Sequence, residues 1–335
     1  MNSSRIVLFL WCCVIVLFVA DVCLGSVYIP ISDITNSLLP AGTGSNANSY
    51  IIANLRIPRA ITAVLTGSGL SIAGLLMQTM FRNPLAGPFV LGISSGAGLG
   101  VALVIMGAGI LGFGFLSSAS LVIASFTGSF LVLLLTLFMS ARIKDSMGLL
   151  IVGLMVGSLS SAVVGILSYF STGEQLKRFV FWSLGSLGGT SWSDLFSLSI
   201  ILLASILLLA FIIKSLNALL LGEDYAASLG VNLKSTRWVI IIVTSLLAGS
   251  ITAFVGPIAF IGLAVPHLCR LLFPTVNHKI LLPAVIAMGA ALLLVCDIIA
   301  RLPFSNYSLP INAVTSLIGA PVIIWLIIKK RSLQF

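Results

Sequence analysis

The chain alternates between long apolar runs and short segments that hold nearly all of its charged residues. A helix of about 20 apolar residues crosses the roughly 30 Å hydrocarbon core of a bilayer. The apolar runs are therefore predicted to be membrane-spanning helices. They are Ile6–Ala20 with a tail to Val27, Ala60–Phe81, Asn83–Ala141, Ser146–Gly173, Leu195–Ile213, Trp238–Cys269, Ile280–Cys296 and Leu302–Ile328.

Two of these runs are too long for a single helix. The run Asn83–Ala141 is interrupted by the glycine-rich segment Gly107–Ser118, and Trp238–Cys269 contains Gly256-Pro257, which predicts a tight turn between two helices. The pattern therefore predicts an all-α polytopic membrane protein with about ten transmembrane helices. We expect residues 1–335 to form one membrane domain.

Composition supports this fold class, because 59% of the 335 residues are hydrophobic and only 7% are charged. A water-soluble domain of this size could not bury so much apolar surface. The N-terminal apolar run lacks a small-residue cleavage pattern, and Asp21 interrupts it where such residues would stand. We therefore expect an uncleaved first helix.

The net charge of +9 comes from basic residues scattered singly between apolar runs, which argues against a nucleic-acid partner and for a role in membrane topology. With ten spans and a cytoplasmic N-terminus, five basic residues fall outside: Arg56, Arg59, Lys177, Arg178 and Arg301. Twelve fall inside: Arg5, Arg82, Arg142, Lys144, Lys214, Lys234, Arg237, Arg270, Lys279, Lys329, Lys330 and Arg331. The positive-inside rule thus predicts that both termini are cytoplasmic.

Two features could carry chemistry of their own. Ser94 lies in a Gly-x-Ser-x-Gly pattern, which would need a nearby histidine base, and the chain has only His267 and His278. Asp297 is the only carboxylate well inside a predicted span, and Arg301, four residues further on, is placed to pair with it. An intramembrane serine hydrolase and a proton-coupled secondary carrier therefore remain open as alternatives.

The segment Lys214–Arg237 is too polar for the membrane and is predicted to lie on the cytoplasmic side. Glu223 and Asp224 suit the start of a short helix, where the helix dipole favours anions, and Gly230 suits its end. A short exposed helix next to the membrane indicates either a partner-binding element or a solvated turn. No phosphate-binding loop of the Walker type occurs in the chain, so energy from ATP would come from another subunit.

Between about Arg56 and Lys329, the sequence resembles the FecCD-type permeases, the membrane subunits of bacterial ABC importers for ferric siderophores, haem and vitamin B12. Seven ordered segments carry this resemblance: RIPR (Arg56–Arg59), GLLMQTMFRNPLAGPFVLGISSGAG (Gly74–Gly98), FWSLGSLGG (Phe181–Gly189), GEDYAASLGV (Gly222–Val231), FVGPIAFIGLAVPHLCR (Phe254–Arg270), DIIAR (Asp297–Arg301) and LPINAVTSLIGAP (Leu309–Pro321).

The resemblance implies a type II ABC importer permease in the bacterial inner membrane. The expected partners are a second permease copy in a homodimer, or a close homologue, two cytoplasmic ABC ATPase subunits, and an extracytoplasmic binding protein. The chain itself is expected to hold no cofactor, since ATP and magnesium belong to the partner ATPase. The substrate could be a ferric siderophore, haem or a corrinoid, because the binding protein chiefly selects it.

The resemblance also implies roles for particular residues. Arg56, Arg59 and Arg301 are expected at the outer mouth, where they would meet carboxylates of the binding protein. Asn83 and Leu85, with Ser146 and Met147 as a second element, are expected to form a cytoplasmic gate. Contacts with the ATPase are expected at Glu223, Ala226, Ala227 and Gly230.

Overall fold

A computed structural model describes residues 3–25, 47–107, 118–143, 146–273, 275–302 and 308–328, and all regular elements in these ranges are helical. The α-helices are α1 (Ser3–Cys23), α2 (Ala47–Ile51), α3 (Ile57–Met80), α4 (Ile93–Ile105), α5 (Ser118–Arg142), α6 (Ser146–Phe170), α7 (Gly173–Ser183), α8 (Trp192–Leu219), α9 (Glu223–Ser228), α10 (Leu233–Val255), α11 (Ile261–Leu272), α12 (His278–Ala300) and α13 (Ile311–Ile328). A π-helical turn, Ile52–Arg56, joins α2 to α3, and a 3₁₀ turn, Pro88–Leu91, precedes α4.

These helices confirm the predicted fold class. In the described part of the chain, seven helices are long and apolar enough to cross a membrane, and three shorter apolar helices lie at 93–105, 261–272 and 311–325. The remaining helices α2, α7 and α9 are short. The predicted break at Gly107–Ser118 falls largely on residues 108–117, which lie outside the described residues.

Helix α3 lies at the centre of the bundle because small residues let its neighbours approach closely. A Cβ atom on Gly67 would lie 2.2 Å from the carbonyl oxygen of Gly289 on α12, and one on Gly74 would lie 1.6 Å from that of Gly262 on α11. In lipid, such backbone contact replaces the hydrophobic effect as the main source of helix association. The packing of α3 against α11 and α12 therefore requires glycine at these positions.

Two irregular segments meet inside the bundle. Helix α3 ends at Met80, and the chain is non-helical from Phe81 to Gly87. Helix α10 ends at Val255, and α11 starts only at Ile261 after Gly256, whose φ is +83°. A Cβ on Gly262 would lie 2.8 Å from the ring of Pro88, so the two segments are adjacent. The predicted breaks at Asn83-Pro84 and Gly256-Pro257 are confirmed, and such backbone is tolerated at membrane depth only within protein or beside a cavity.

The boundaries of the segment Lys214–Arg237 differ from the prediction. Helix α8 continues through Lys214 to Leu219, and α10 already begins at Leu233, so the connection is shorter than its polarity suggests. Long basic side chains can bury their stems while the charged group reaches water, which lets a helix extend beyond its apolar core. The predicted short helix is confirmed as α9, with Gly230 (φ +82°) beyond its end.

Candidate functional site

Two polar regions lie at opposite ends of the bundle. The arginine end contains Arg56, Arg59 and Arg301, together with the C-terminal ends of α1 and α12. The α9 end contains α9, the segment 81–87 and the C-terminal ends of α3 and α8.

At the arginine end, Asp297 receives two arginines. Nε of Arg59 lies 3.0 Å from both carboxylate oxygens of Asp297, and Nη2 lies 2.7 Å from Oδ1. Arg301 donates to Oδ2 from Nε at 3.0 Å and from Nη2 at 2.5 Å. The predicted pair Asp297–Arg301 is confirmed. Asp297 itself lies in the last turn of α12, closer to the helix end than we predicted.

Sequence reasoning missed the role of Asp21. Its Oδ2 accepts from Nη2 of Arg301 at 2.8 Å, and its side chain is fully buried. Asp21 is thus a second buried carboxylate within an apolar helix, which corrects the prediction that Asp297 is the only one. A carboxylate at the end of an apolar run is itself a signal for a functional or paired group, but its partner is 280 residues away.

Arg56 ends the π-helical turn and binds backbone carbonyl groups. Its Nη1 donates to the carbonyl oxygens of Val22 and Cys23 at 2.7 and 2.8 Å. These carbonyls belong to the last turn of α1, which leaves acceptors without helical partners and carries the negative end of the helix dipole. Arg56 therefore caps α1.

The structure brings the three predicted docking arginines together but exposes them unequally. The side chain of Arg59 is 25% exposed and that of Arg301 is 9% exposed, while Arg56 is 8% exposed as a residue. Arg59 is therefore the most accessible of the three. Their contact with a binding protein stays a prediction.

At the α9 end, the predicted gate residues occupy the non-helical chain and the start of α6. Oδ1 of Asn83 accepts from the backbone N–H of Leu85 at 2.9 Å, which stabilises the turn after Pro84. Leu85 and Met147 are 43% and 54% exposed. Ser146 begins α6, and its side chain lies outside the described part of the structure.

A cavity of about 700 Å³ lies between α9, the end of α3 and the start of α6. Its lining includes Met80, Arg82 and Met147 on one side and Glu223, Tyr225 and Ser228 on the other. The predicted gate residue Met147 and the predicted ATPase contact Glu223 therefore face one space, and Asn83 directly follows the lining residue Arg82.

Helix α9 is tied to the bundle at its first residue. Oε2 of Glu223 accepts from Nη2 of Arg237 on α10 at 2.5 Å. Ala226 is buried and Ala227 is exposed, so α9 has an inner and an outer side. Large apolar side chains in and beside α9 are exposed, where water solvates them poorly: Leu221 and Tyr225, which border the cavity, and Leu229. This surface suits a protein partner.

Among the described residues, the side chain that contacts the Ser94 hydroxyl is another hydroxyl and not a histidine base. Its Oγ lies 3.4 Å from the hydroxyl of Thr252. His278 instead contacts Thr79, at the α9 end of α3.

The helical bundle, its adjoining broken helices and its two unlike polar ends define a polytopic membrane transport protein. The chain belongs to the FecCD transport family, whose profile matches residues 13–329. It is 38% identical over 291 residues to the hemin transport system permease protein HmuU of Yersinia pestis, covering 86% of each chain. It is 37% identical over 294 residues to the vitamin B12 import system permease protein BtuC of Klebsiella pneumoniae, covering 88% of this chain and 87% of the relative.

Solved structures agree with this assignment. A metal-chelate type ABC transporter in an inward-facing conformation superposes with a TM-score of 0.84 at 31% identity, covering 97% of this chain and 99% of that one. PsaBC from Streptococcus pneumoniae, in complex with a Fab, has a TM-score of 0.55 at 17% identity and shares the fold.

The chain is therefore a multi-span permease of the inner membrane and a transport subunit of an ABC importer, not an enzyme. Membership in this family implies ATPase and binding-protein partners. The comparisons do not support the serine hydrolase at Ser94 or the proton-coupled carrier at Asp297.

Proposed function

We propose that two copies of this chain form the pathway of an importer that moves a metal chelate of the haem, corrinoid or ferric-siderophore class into the cytoplasm. The observation that carries this proposal is the cavity of about 700 Å³ that α9 shares with Arg82, at the start of the broken chain, and with Met147. An ATPase bound to α9 would act directly beside this broken chain.

The orientation of the chain in the membrane follows from the distribution of its basic residues. The ten-span topology predicted from the sequence assigns twelve of the seventeen basic residues to the side that carries α9, which makes the α9 end cytoplasmic under the positive-inside rule. Both termini are then cytoplasmic as well, and the arginine end faces the binding protein. Arg59 is the main contact for the binding protein because it is the most exposed of the three arginines. Arg56 and Arg301 are more deeply buried beneath this surface.

The face of α6 supports a second copy as the partner. In the middle of α6, four small exposed residues share one helix face without a large one between them: Ser158, Ser161, Ala162 and Gly165. In lipid, small residues permit close helix approach, whereas large apolar side chains favour lipid contact. The exposed face of α8 carries Phe196, Leu203 and Phe211 instead.

The proposal is tested by reconstituting the chain with its cognate ATPase and binding protein in vesicles. Haemin, cyanocobalamin and a ferric siderophore are offered in parallel, and ATP-dependent accumulation of one of them is expected. A matched control uses an ATPase whose Walker lysine is replaced by alanine. Failure of the chain to copurify with the ATPase, or accumulation that persists with the inactive ATPase, contradicts the proposal.

A further inference from the structure

A buried chain of hydrogen bonds at the α9 end joins three helices. Oδ1 of Asn217 on α8 accepts from the backbone N–H of His278 at 2.9 Å and lies 2.7 Å from Nδ1 of the same residue. On the far side of the ring, Nε2 lies 2.9 Å from Oγ1 of Thr79 on α3. His278 is 1% exposed and Thr79 is fully buried. One imidazole, at the first residue of α12, thus bridges α8 and α3.

The backbone contact settles the direction of one of these hydrogen bonds. A backbone N–H can only donate, so the atom of Asn217 that faces it is the amide oxygen. Nδ1 of His278 therefore carries the proton that is donated to Asn217. On the other side, the Thr79 hydroxyl lies within hydrogen-bonding distance of both Nε2 and the Leu75 carbonyl, the latter at 2.8 Å. The ring is thus held on both sides.

The two ends of this hydrogen-bond network connect to α9 on one side and to the gate segment on the other. Helix α8 ends at Leu219, and turn hydrogen bonds from Leu221 to Ala218 and from Gly222 to Leu219 connect it to α9. On the other side, the backbone N–H of Asn83 donates to the carbonyl of Gln78, the residue before Thr79.

Between α9 and Arg82, the residue before the gate segment, lies the cavity of about 700 Å³, beside which the long side chain of Arg82 extends to Gly222. Close-packed groups transmit a displacement, whereas atoms that border a void lack the contacts to do so. The hydrogen-bonded route through the imidazole therefore couples α9 to the gate more stiffly than the route across the cavity.

We propose that His278 and Thr79 are positioning residues that transmit a displacement of α9 through α8 to the gate segment Asn83–Leu85. The inference rests on the proposed function, which assigns α9 to the ATPase and this segment to the gate. Gates of packed helices open by small shifts, so a rigid ring bonded to two helices is sufficient to move one with the other.

Thr79→Val removes the hydroxyl while keeping the side-chain shape, and α3 offers a matched control. Thr62 is also fully buried, its hydroxyl also donates to the carbonyl four residues before it at 2.8 Å, and it also contacts a side chain of another element, Thr190. Thr62 lies at the arginine end. Thr62→Val therefore has the same local cost without touching the proposed route.

The reporter is Leu85→Cys in the assembled complex with its ATPase, in inside-out vesicles. The labelling rate of this cysteine by a membrane-impermeant maleimide is measured by peptide mass spectrometry, without nucleotide and after trapping with ATP, magnesium and vanadate. The measured quantity is the ratio of these two rates, the factor by which nucleotide trapping changes the labelling rate. We expect Thr79→Val to reduce this ratio by about 2-fold to 30-fold, the range that residues along a coupling route produce. Thr79→Ser restores the ratio, and Thr62→Val leaves it unchanged.

Complex yield and ATP hydrolysis are measured on the same preparations. If Thr79→Val lowers the yield, His278→Met breaks the same route at similar side-chain volume. An unchanged ratio in the Thr79 or His278 variant, or an equal loss in Thr62→Val, overturns the inference while leaving the proposed function intact. A parent complex whose Leu85→Cys rate does not respond to nucleotide overturns the gate assignment, and the inference with it.

Discussion

The two ends of the bundle are held together by different kinds of interaction. At the arginine end, Asp297 and Asp21 are buried among arginines at distances of 2.5–3.0 Å. At the α9 end, hydrogen bonds through His278 join α8, α12 and α3, and the ion pair of Glu223 with Arg237 is partly exposed. Removing one partner of a buried ion pair costs about 3–5 kcal/mol, whereas leaving a buried neutral group without its hydrogen-bond partner costs about 1–3 kcal/mol. The comparison indicates a stiff arginine end and an α9 end whose helices can shift.

The largest functional effect is expected from Leu85→Trp at the α9 end, which should abolish uptake while leaving folding intact. Leu85 is 43% exposed, so the indole does not overpack the core of the chain, but it would stand twice across a two-fold-related opening. Complex yield, ATP hydrolysis and vesicle uptake are measured together. Leu207→Trp, at a 64% exposed position on α8, is the control. Normal uptake by the Leu85 variant at normal yield would exclude a gate at this position.

Asp297→Ala tests the opposite end and is expected to destabilise the chain by about 3–5 kcal/mol, because the buried Arg301 and the partly buried Arg59 lose their shared carboxylate. The measurement is thermal stability in detergent, by the fraction that stays monodisperse after heating. Glu174→Ala is the control, since its ion pair with Arg178 has side chains 74% and 59% exposed and exposed pairs contribute little. Equal stability of the two variants would mean that the buried carboxylate of the arginine end adds no more stability than an exposed ion pair does.

A smaller effect is expected from Glu223→Gln, which weakens the attachment of α9 to Arg237. This pair is partly exposed, so its contribution is at most about 1 kcal/mol, or roughly five-fold in an equilibrium. We expect the ATP consumed per molecule imported to rise by up to this factor, with normal membrane insertion. Asp224→Asn removes the same charge one residue further on and serves as the comparison. An unchanged ratio in Glu223→Gln, or an equal rise in both variants, would contradict a specific role for this ion pair.

The smallest functional effect is expected from Arg59→Gln, which should weaken capture of the loaded binding protein at low salt, while Asp297 keeps its ion pair with Arg301. Charges at the edge of a protein interface chiefly raise the association rate, and their influence is screened over about 8 Å at physiological ionic strength. The difference from the parent should therefore shrink as salt rises, as measured by binding kinetics on the immobilised permease. Arg178→Gln, at the 59% exposed end of a surface ion pair, controls for net charge. Identical kinetics at low salt would count against docking at Arg59.

Local patterns in the sequence predicted the elements well. Apolar run lengths located the spanning helices, Gly256-Pro257 marked the start of the break before α11, and Glu223 with Gly230 delimited α9. The i, i+4 spacing of Asp297 and Arg301 predicted their ion pair. Each of these features depends on neighbours within a few residues, where backbone geometry alone sets which groups can meet.

Only the tertiary structure decided which distant groups complete the polar regions. Arg59 and Asp297 are 238 residues apart, Asp21 and Arg301 are 280 apart, and Thr79 and His278 are 199 apart. The meeting of such groups depends on the position and rotation of whole helices. Backbone contacts such as that of Gly67 with Gly289 determine this arrangement. Because many helix pairings satisfy the same apolar pattern, the partners of Asp21 and His278 followed from packing and not from the local sequence.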